Sequence, residues 1–589
     1  MTTRLASAPR SISPIRADAG RWPDPRWLSV PVWLAATAAG FVLVGWIRPD
    51  PFAVRGVLLP LTVLGLLALV LVPAALRLRV SAVACGLFAG WVALDLKTML
   101  YGTPYGFAGL FGDMGRIAAA ATRYSVTPWS ADAFVEEVPA EYPMLYPWLI
   151  GRASALSGVP AWRLVAEAEI LTVSGAVVAA FLLWSRLVKP PVALAVAAAS
   201  LVAFGDPRKA FGVVAVLVVI PWILLTFGSP PRGRLPWWSA GAIGGLIVIT
   251  YQGFLIYGSL GILALAGLTW WRHDDRRAYL LRLLKVSGVA ALVSGVYVVP
   301  YLAATLAGGG QAVADLYVAP DLVANPFPFL QPTPLGLLQL AGLAGVIGYR
   351  RTAWWAQPLL LLIAGAYAYR VLMMARFVAD GHTGFFHYTS RLLGPLLVAA
   401  GVLTVATLLK RHAAREYGVA ALAVVLLWAG VSYWRLALPE GVQPWAAKWP
   451  SATHFYTARA HHEPAFPARE IRARVEEVRG RGARPRVLSA DERLFAYLPW
   501  RGYTSVDRTS ANTLIRWDER RAELVRLAAV TDPQAFAEAS ASTAFGAIDV
   551  FVLRDWRWRD VSFQRGQFDP ARFAVVDDLP GKTVLLIRK

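Results

Sequence analysis

Cysteine is nearly absent: Cys85 is the single one in 589 residues. One thiol inside an apolar run excludes an internal disulfide and any cysteine-based metal site. Charge is scarce as well. Charged residues make up 16% and hydrophobic residues 57% of the chain, whereas soluble domains carry roughly 25% charged residues. With a mean hydropathy of +0.50, a soluble enzyme, a disordered chain and a fibrous protein are all excluded. Walker A and Rossmann fingerprints are missing. A convincing internal repeat is missing too, and the apolar runs are nearly free of charge in their middle, which weighs against a transporter with paired mid-membrane charges and repeated halves.

What is present is a series of apolar runs. About 20 such residues cross a bilayer as a helix. Thirteen runs qualify, some of them short: 28–47, 56–76, 80–96, 164–184, 190–205, 211–228, 236–253, 254–271, 286–305, 335–349, 354–370, 391–409 and 417–435. Tyr251-Gln252-Gly253 is the expected turn between the two most closely spaced runs. The net charge of +21 divides into +16 before residue 436 and +5 after it. A basic excess between apolar segments reads as membrane topology rather than nucleic-acid binding. With the N-terminus inside, inner segments hold 21 Lys and Arg against 10 in the outer loops before residue 436, as the positive-inside rule requires. The chain is therefore expected to be a polytopic α-helical plasma-membrane protein of about 13 transmembrane helices. Residues 1–27 form a cytoplasmic segment, 28–435 a membrane domain, and 436–589 an extracytoplasmic domain. The first run carries Pro31 and no small-residue cleavage site, so it reads as an uncleaved anchor.

The outer loops are unequal. One spans 97–163, another 306–334, and a shorter one, 371–390, holds Arg376, Asp380, His382 and His387. Beyond residue 436 the spacing predicts helices over 469–478 and 518–530 and strands at 487–489 and 547–553. A final hairpin, 573–578 with 583–587, turns at 579–582. That is a small α/β domain, large enough for its own core.

Chemistry concentrates in the first long outer loop. Asp113, followed by Arg116, suits a general base that takes the proton of an attacking sugar hydroxyl, for which it must come within about 3 Å of that hydroxyl. One carboxylate suffices for a single inverting displacement; a retaining double displacement uses two, about 5–5.5 Å apart. The competing reading has Asp113 capping a helix over 114–122. The cluster Glu141, Tyr142, Tyr146 and Trp148 suits acceptor binding or anchoring at the membrane interface. Arg208 and Lys209 stand in a very short outer loop, against the charge trend, and suit a lipid phosphate, either a substrate's or a headgroup's. Arg376, His382, His387 and Arg391 form a second candidate phosphate clamp. Their spacing matches no metal-ligand pattern, and no metal is expected.

These motifs together resemble a family. Gly112-Asp113 with Arg116, then Glu141-Tyr142-Pro143-Met144-Leu145-Tyr146-Pro147-Trp148, is similar to the AftA-type galactan arabinofuranosyltransferases of actinobacterial cell walls. The outer domain extends the resemblance through Thr509-Ser510-Ala511-Asn512, Trp517-Asp518-Glu519-Arg520, Thr531-Asp532-Pro533-Gln534-Ala535-Phe536-Ala537 and the stretch from Ala544 to Leu553. The resemblance implies a GT-C membrane glycosyltransferase. Its donor would be decaprenylphosphoryl arabinofuranose, a polyprenyl-phosphate-linked sugar, and its acceptor the cell-wall galactan polysaccharide. Transfer would occur on the outer face of the membrane with inversion from β to α, and Asp113 would be the catalytic acid residue. Donor contacts would come from Arg116, Arg208, Lys209, Arg376, His382, His387 and Arg391, and acceptor contacts from Glu141, Tyr142, Tyr146 and Trp148. The open alternatives are a polyprenyl-phosphate-sugar transferase with another sugar or acceptor, and a transporter of lipid-linked sugars.

Overall fold

The computed structural model describes residues 24–78, 81–311, 322, 326–412, 415–442, 445 and 454–589. Most of the expected segment 1–27, part of the loop 306–334 and the start of the expected outer domain lie outside the described residues. Each of the thirteen apolar runs coincides with an apolar helix. These are α1 (Ser29–Ile47), α2 (Val54–Leu78) and α3 (Ser81–Met99), then, after two short helices α4 (Asp113–Val126) and α5 (Leu145–Ser157), α6 (Ala161–Leu187), α7 (Pro190–Phe204), α8 (Ala210–Phe227) and α9 (Trp237–Tyr251). The single turn α10 (Gly253–Tyr257) leads into α11 (Ser259–Trp271), α12 (Arg276–Gly308), α13 (Pro334–Gly348), α14 (Ala356–Asp380), α15 (Thr389–His412) and α16 (Arg415–Ala437). Eight are long and apolar enough to cross a membrane, and five are shorter. The chain is a multi-pass helical membrane protein.

Local sequence fixes the helix ends. α7 starts on Pro190, whose missing N–H is unneeded in a first turn, and stops where Gly205 adopts the left-handed conformation. Asp275 caps α12 by accepting from the Ala278 N–H at 2.8 Å. α3 and α8 are enclosed by other helices, whereas α1 and α12 turn most of their residues outward. Gly342 and Gly401 let α13 and α15 cross closely: a Cβ on Gly342 would stand 2.1 Å from the Leu397 carbonyl oxygen.

Two sequence expectations change here. The 236–271 segment breaks twice, at Gln252 and again at Gly258, because α10 is a separate turn. The apolar helices are also not free of charge. Asp95 in α3 and Glu169 in α6 are both fully buried, and Glu169 accepts from the Phe107 N–H at 2.8 Å. Gly106 permits that contact, since a Cβ there would sit 2.5 Å from the Glu169 carboxylate.

The C-terminal part is an α/β unit. It contains α17 (His454–His461), α18 (Ala468–Arg479), β1 (Arg486–Ser489), α19 (Arg493–Tyr497), β2 (Arg501–Gly502), α20 (Trp517–Ala528), α21 (Pro533–Ala541), β3 (Val550–Arg554), β4 (Arg557–Trp558), β5 (Val561–Ser562), β6 (Phe573–Leu579) and β7 (Thr583–Arg588). β1 runs parallel to both β2 and β3; β7 pairs antiparallel with β3 and with β6. Apolar β3 and β7 lie at the centre, with Phe551, Leu553 and Leu586 packed on one face and Val550, Val552 and Leu585 on the other. The expected helices and the final hairpin are present; α17, α19, α21, β2 and the β4–β5 hairpin are additional.

Candidate active site

The site assembles where α4, the α7–α8 turn and the start of α15 meet. Gly112 takes a positive φ of 56° and is itself the N-cap of α4, without a side-chain capping bond, so Asp113 is the first residue inside the helix. The capping expectation for Asp113 is thereby corrected: the backbone turn at Gly112 starts the helix, and the carboxylate is left to face outward. Its partner is Lys209, whose Nζ lies 3.0 Å from Oδ2. The Asp113 side chain is 41% exposed and that of Lys209 11%. Lys209, with Arg208 and Arg116 adding to its effect against the opposing effect of burial, lowers the Asp113 pKa to about 2.

Around this pair stands a set of cations and aromatic rings. Lys209 lies 4.9 Å from the centre of the Tyr388 ring and 3.4 Å from its hydroxyl. Arg208 stacks 4.0 Å over Tyr456 and pairs with Asp206 at 3.2 Å. Arg391, at the start of α15, donates to the Phe204 carbonyl at 2.8 Å and reaches Asp206 at 3.4 Å. Asp206 is buried. Burial pushes its pKa up, but Arg208, Arg391 and Lys209 outweigh that and leave it below the usual carboxylate value. Asp206 thus fixes two guanidiniums beside the lysine. Phe211 packs against both Tyr142 and Tyr146, with ring centres 5.8 Å away in each case, and against Tyr251. Tyr142 is 46% exposed, while Tyr146 is buried.

The other candidates from the sequence have different direct partners. Arg116 reaches the C-terminal unit, with Glu492 and Asp507 carboxylates each at 3.3 Å and the Ser510 carbonyl at 3.0 Å. Glu141 accepts from the Thr513 N–H and hydroxyl, both at 2.6 Å, and from the Tyr301 hydroxyl at 3.2 Å. Burial raises its pKa despite these bonds. It therefore joins α12 to the C-terminal unit. Trp148 donates to the Pro128 carbonyl at 3.0 Å and packs on a cluster of Tyr124, Ala140, Met144, Ile249 and Tyr297 that joins the 97–163 loop to α9 and α12. Arg376 pairs with Asp380 one turn on, and the His382 N–H also donates to Asp380. His387 is buried, with its ring 4.3 Å from Tyr388. Among the described residues, no three His, Cys, Asp or Glu side chains gather as metal ligands would.

Asp206, Tyr388 and Tyr456 were missed by sequence reasoning. Asp206 had a signal, an acid directly before Pro207-Arg208-Lys209. The tyrosines had none, because only the fold brings α17 and the 386–388 turn to this place.

The C-terminal unit grips the same loop. Glu463 accepts from the Leu110 N–H at 2.9 Å, Tyr456 accepts at its carbonyl from Ala108, and the Thr122 hydroxyl donates to the Ala496 carbonyl at 2.6 Å. Helix α4 is thus held on one side by membrane helices and on the other by the C-terminal unit.

Comparison with known proteins agrees with this division. The family model described as arabinofuranosyltransferase N terminal matches residues 49–431, and that described as arabinofuranosyltransferase A C terminal matches residues 450–569. A galactan 5-O-arabinofuranosyltransferase of Mycolicibacterium smegmatis is 28% identical over 514 residues, 80% of each chain. One of Mycobacterium tuberculosis is 27% identical over 453 residues, 74% of this chain and 70% of the relative. One of Corynebacterium glutamicum is 26% identical over 499 residues, 79% and 74%. Among solved structures, ArnT from Cupriavidus metallidurans, bound to undecaprenyl phosphate, has a TM-score of 0.49 at 13% identity, covering 85% of this chain and 97% of that one. With its membrane helices and its C-terminal unit both matched, this chain belongs to the arabinofuranosyltransferase family.

Proposed function

We propose that the chain transfers an arabinofuranosyl unit from decaprenylphosphoryl arabinofuranose to a galactan acceptor on the outer face of the plasma membrane, with inversion. The N-terminus is then cytoplasmic, residues 28–435 form the membrane domain, and 436–589 lie outside. The observation that carries this reading is Asp113 paired with Lys209 at 3.0 Å, beside Arg208 and Arg391. A base and a phosphate-binding cation occupy one spot at the end of apolar helices.

The chemistry follows from that arrangement. The polyprenyl tail lies among the membrane helices and its phosphate meets Lys209, Arg208 and Arg391. An acceptor hydroxyl, guided by the exposed Tyr142 ring, approaches the anomeric carbon from the side opposite the phosphate. Asp113 takes its proton as the new C–O bond forms. The anomeric carbon–phosphate oxygen bond breaks with its electron pair on the phosphate, and polyprenyl phosphate leaves. One displacement inverts the centre, so one carboxylate is enough.

Lys209 serves at two stages. In the free protein it neutralises Asp113 and makes it a weak base. Donor phosphate competes for the ammonium, and each step that Lys209 takes toward phosphate returns basicity to Asp113. The base is thereby switched on by the substrate that needs it.

Membranes carrying the chain, incubated with radiolabelled decaprenylphosphoryl arabinofuranose and a short galactan, are expected to yield arabinosylated galactan. Label that moves only to a different acceptor would reassign the acceptor. No transfer by folded protein to any glycan would remove the enzymatic reading.

A further inference from the structure

At the other end of α8, about 27 Å from Lys209 by helix rise, lies a second polar pocket. It has a volume of about 720 Å³ and is lined by Arg234, Arg272, His273, Arg282, Asp274 and Trp237, among others. It forms where the end of α8, the start of α9, the end of α11 and the start of α12 converge.

Its charge is not balanced. Arg234 donates to the Gly228 carbonyl at 2.7 Å and to the Ser229 hydroxyl at 3.0 Å, and lies 3.3 Å from a His273 ring nitrogen. Arg282 donates to the Thr226 and Leu235 carbonyls, both at 2.8 Å. Arg272 donates to Gln357 at 2.8 Å. All these acceptors are neutral. Among the described residues none of the three guanidiniums has a carboxylate within ion-pair distance, and Asp274 is the one acid in the lining. Burial holds Arg234 below its ordinary pKa. Two half-buried guanidiniums, Arg234 and Arg282, with the exposed Arg272 at the mouth, face one cavity and call for an anion.

The rim says which anion. Trp237, Trp238 and Trp271 are 44%, 59% and 67% exposed, and Arg276 lies over Trp271 at 5.2 Å. Exposed tryptophans at helix ends mark the level of lipid headgroups. A basic pocket between helices at that depth is suited to a phospholipid headgroup.

We infer that this pocket binds the phosphate of an anionic phospholipid, with the acyl chains descending along the outward faces of α9 and α12. The inference is independent of the transfer reaction, since the pocket shares no residue with the Asp113 site.

The test is native mass spectrometry of the full chain titrated with phosphatidylglycerol or phosphatidylcholine, for wild type and an R234Q/R272Q variant. The wild type is expected to prefer phosphatidylglycerol. The variant is expected to lose about tenfold or more of that affinity, the size of one charge-assisted contact, and to bind phosphatidylcholine as before. Equal phosphatidylglycerol binding by both proteins would overturn the assignment. So would inorganic phosphate that competes as well as the lipid, which would make this a free-anion site. Because Arg234 also holds the end of α8, a photo-crosslinking residue at Trp238 in the otherwise unchanged chain gives a second reading. Labelling of phosphatidylglycerol over phosphatidylcholine is expected there, and no preference would overturn the inference.

Discussion

Replacing Lys209 with Gln separates its two proposed tasks. The substitution removes the ammonium 3.0 Å from Asp113 while keeping a polar side chain of similar length. Toward the donor, a charge-assisted contact to phosphate contributes about 1.5–3 kcal/mol, which is roughly 10–150-fold in affinity. Toward Asp113, the loss of its strongest neighbour lets the pKa rise from about 2. Water reaches 41% of the carboxylate side chain, and with that screening the ion pair contributes about 1 kcal/mol or less to stability. Because the folded pKa is depressed, this contribution is present above pH 3.8 and is lost as pH falls through about 2. At neutral pH Asp113 is ionised with or without the lysine, so catalysis by the base survives. The assay is steady-state transfer with varied donor. KM for donor is expected to rise by one to two orders of magnitude with kcat within a few-fold of wild type. A kcat lowered by orders of magnitude with donor KM unchanged would refute the two-task account and make Lys209 a partner of Asp113 alone.

Three further outcomes follow from the contacts. Arg116→Met frees the first turn of α4 from Glu492 and Asp507; kcat is expected to fall while donor affinity stays, measured by transfer kinetics and donor binding, with Arg116→Lys restoring part of kcat. Glu141→Ala removes the acceptor of two Thr513 bonds. At about 1.5–3 kcal/mol for a hydrogen bond to a charged group, less the relief of a buried carboxylate, it is expected to lower the unfolding temperature and raise protease sensitivity of the C-terminal unit without changing donor affinity. Gly342→Ala places a methyl group 2.1 Å from the Leu397 carbonyl oxygen, and a clash against backbone is expected to destabilise the α13–α15 crossing by about 1–3 kcal/mol, read as reduced thermal stability in detergent.

The membrane half was legible because length and hydropathy alone define a helix that can cross a bilayer. Thirteen apolar runs became thirteen apolar helices. The break at Gly258 was less visible, since the chain is apolar on both sides of it. In the C-terminal unit the long strands β3, β6 and β7 announce themselves as apolar runs. Two-residue strands such as β2 and β4 carry no periodicity, so their existence depends on neighbours. The buried acids Asp95 and Glu169 were read as part of apolar runs because one carboxylate barely alters an 18-residue average. In the site, Asp113 and the Arg208-Lys209 pair stand out in sequence through position and charge, but their contact is a product of the fold. The same holds for Arg116 and Glu141: a sequence shows that a charge is there, and only tertiary structure decides whether it faces a substrate or another domain.

The central claim is that Asp113 is the base of the transfer, and Asp113→Asn tests it most directly. The substitution keeps the shape of the side chain and, with Gly112 already forming the N-cap, leaves α4 intact. The measurement is the rate of arabinofuranosyl transfer to galactan by purified, folded variant saturated with donor. The account expects a loss of about 10²–10⁴-fold, the usual contribution of a general base, with donor bound at least as tightly because Lys209 is released from its ion pair. A rate within a few-fold of wild type would contradict it.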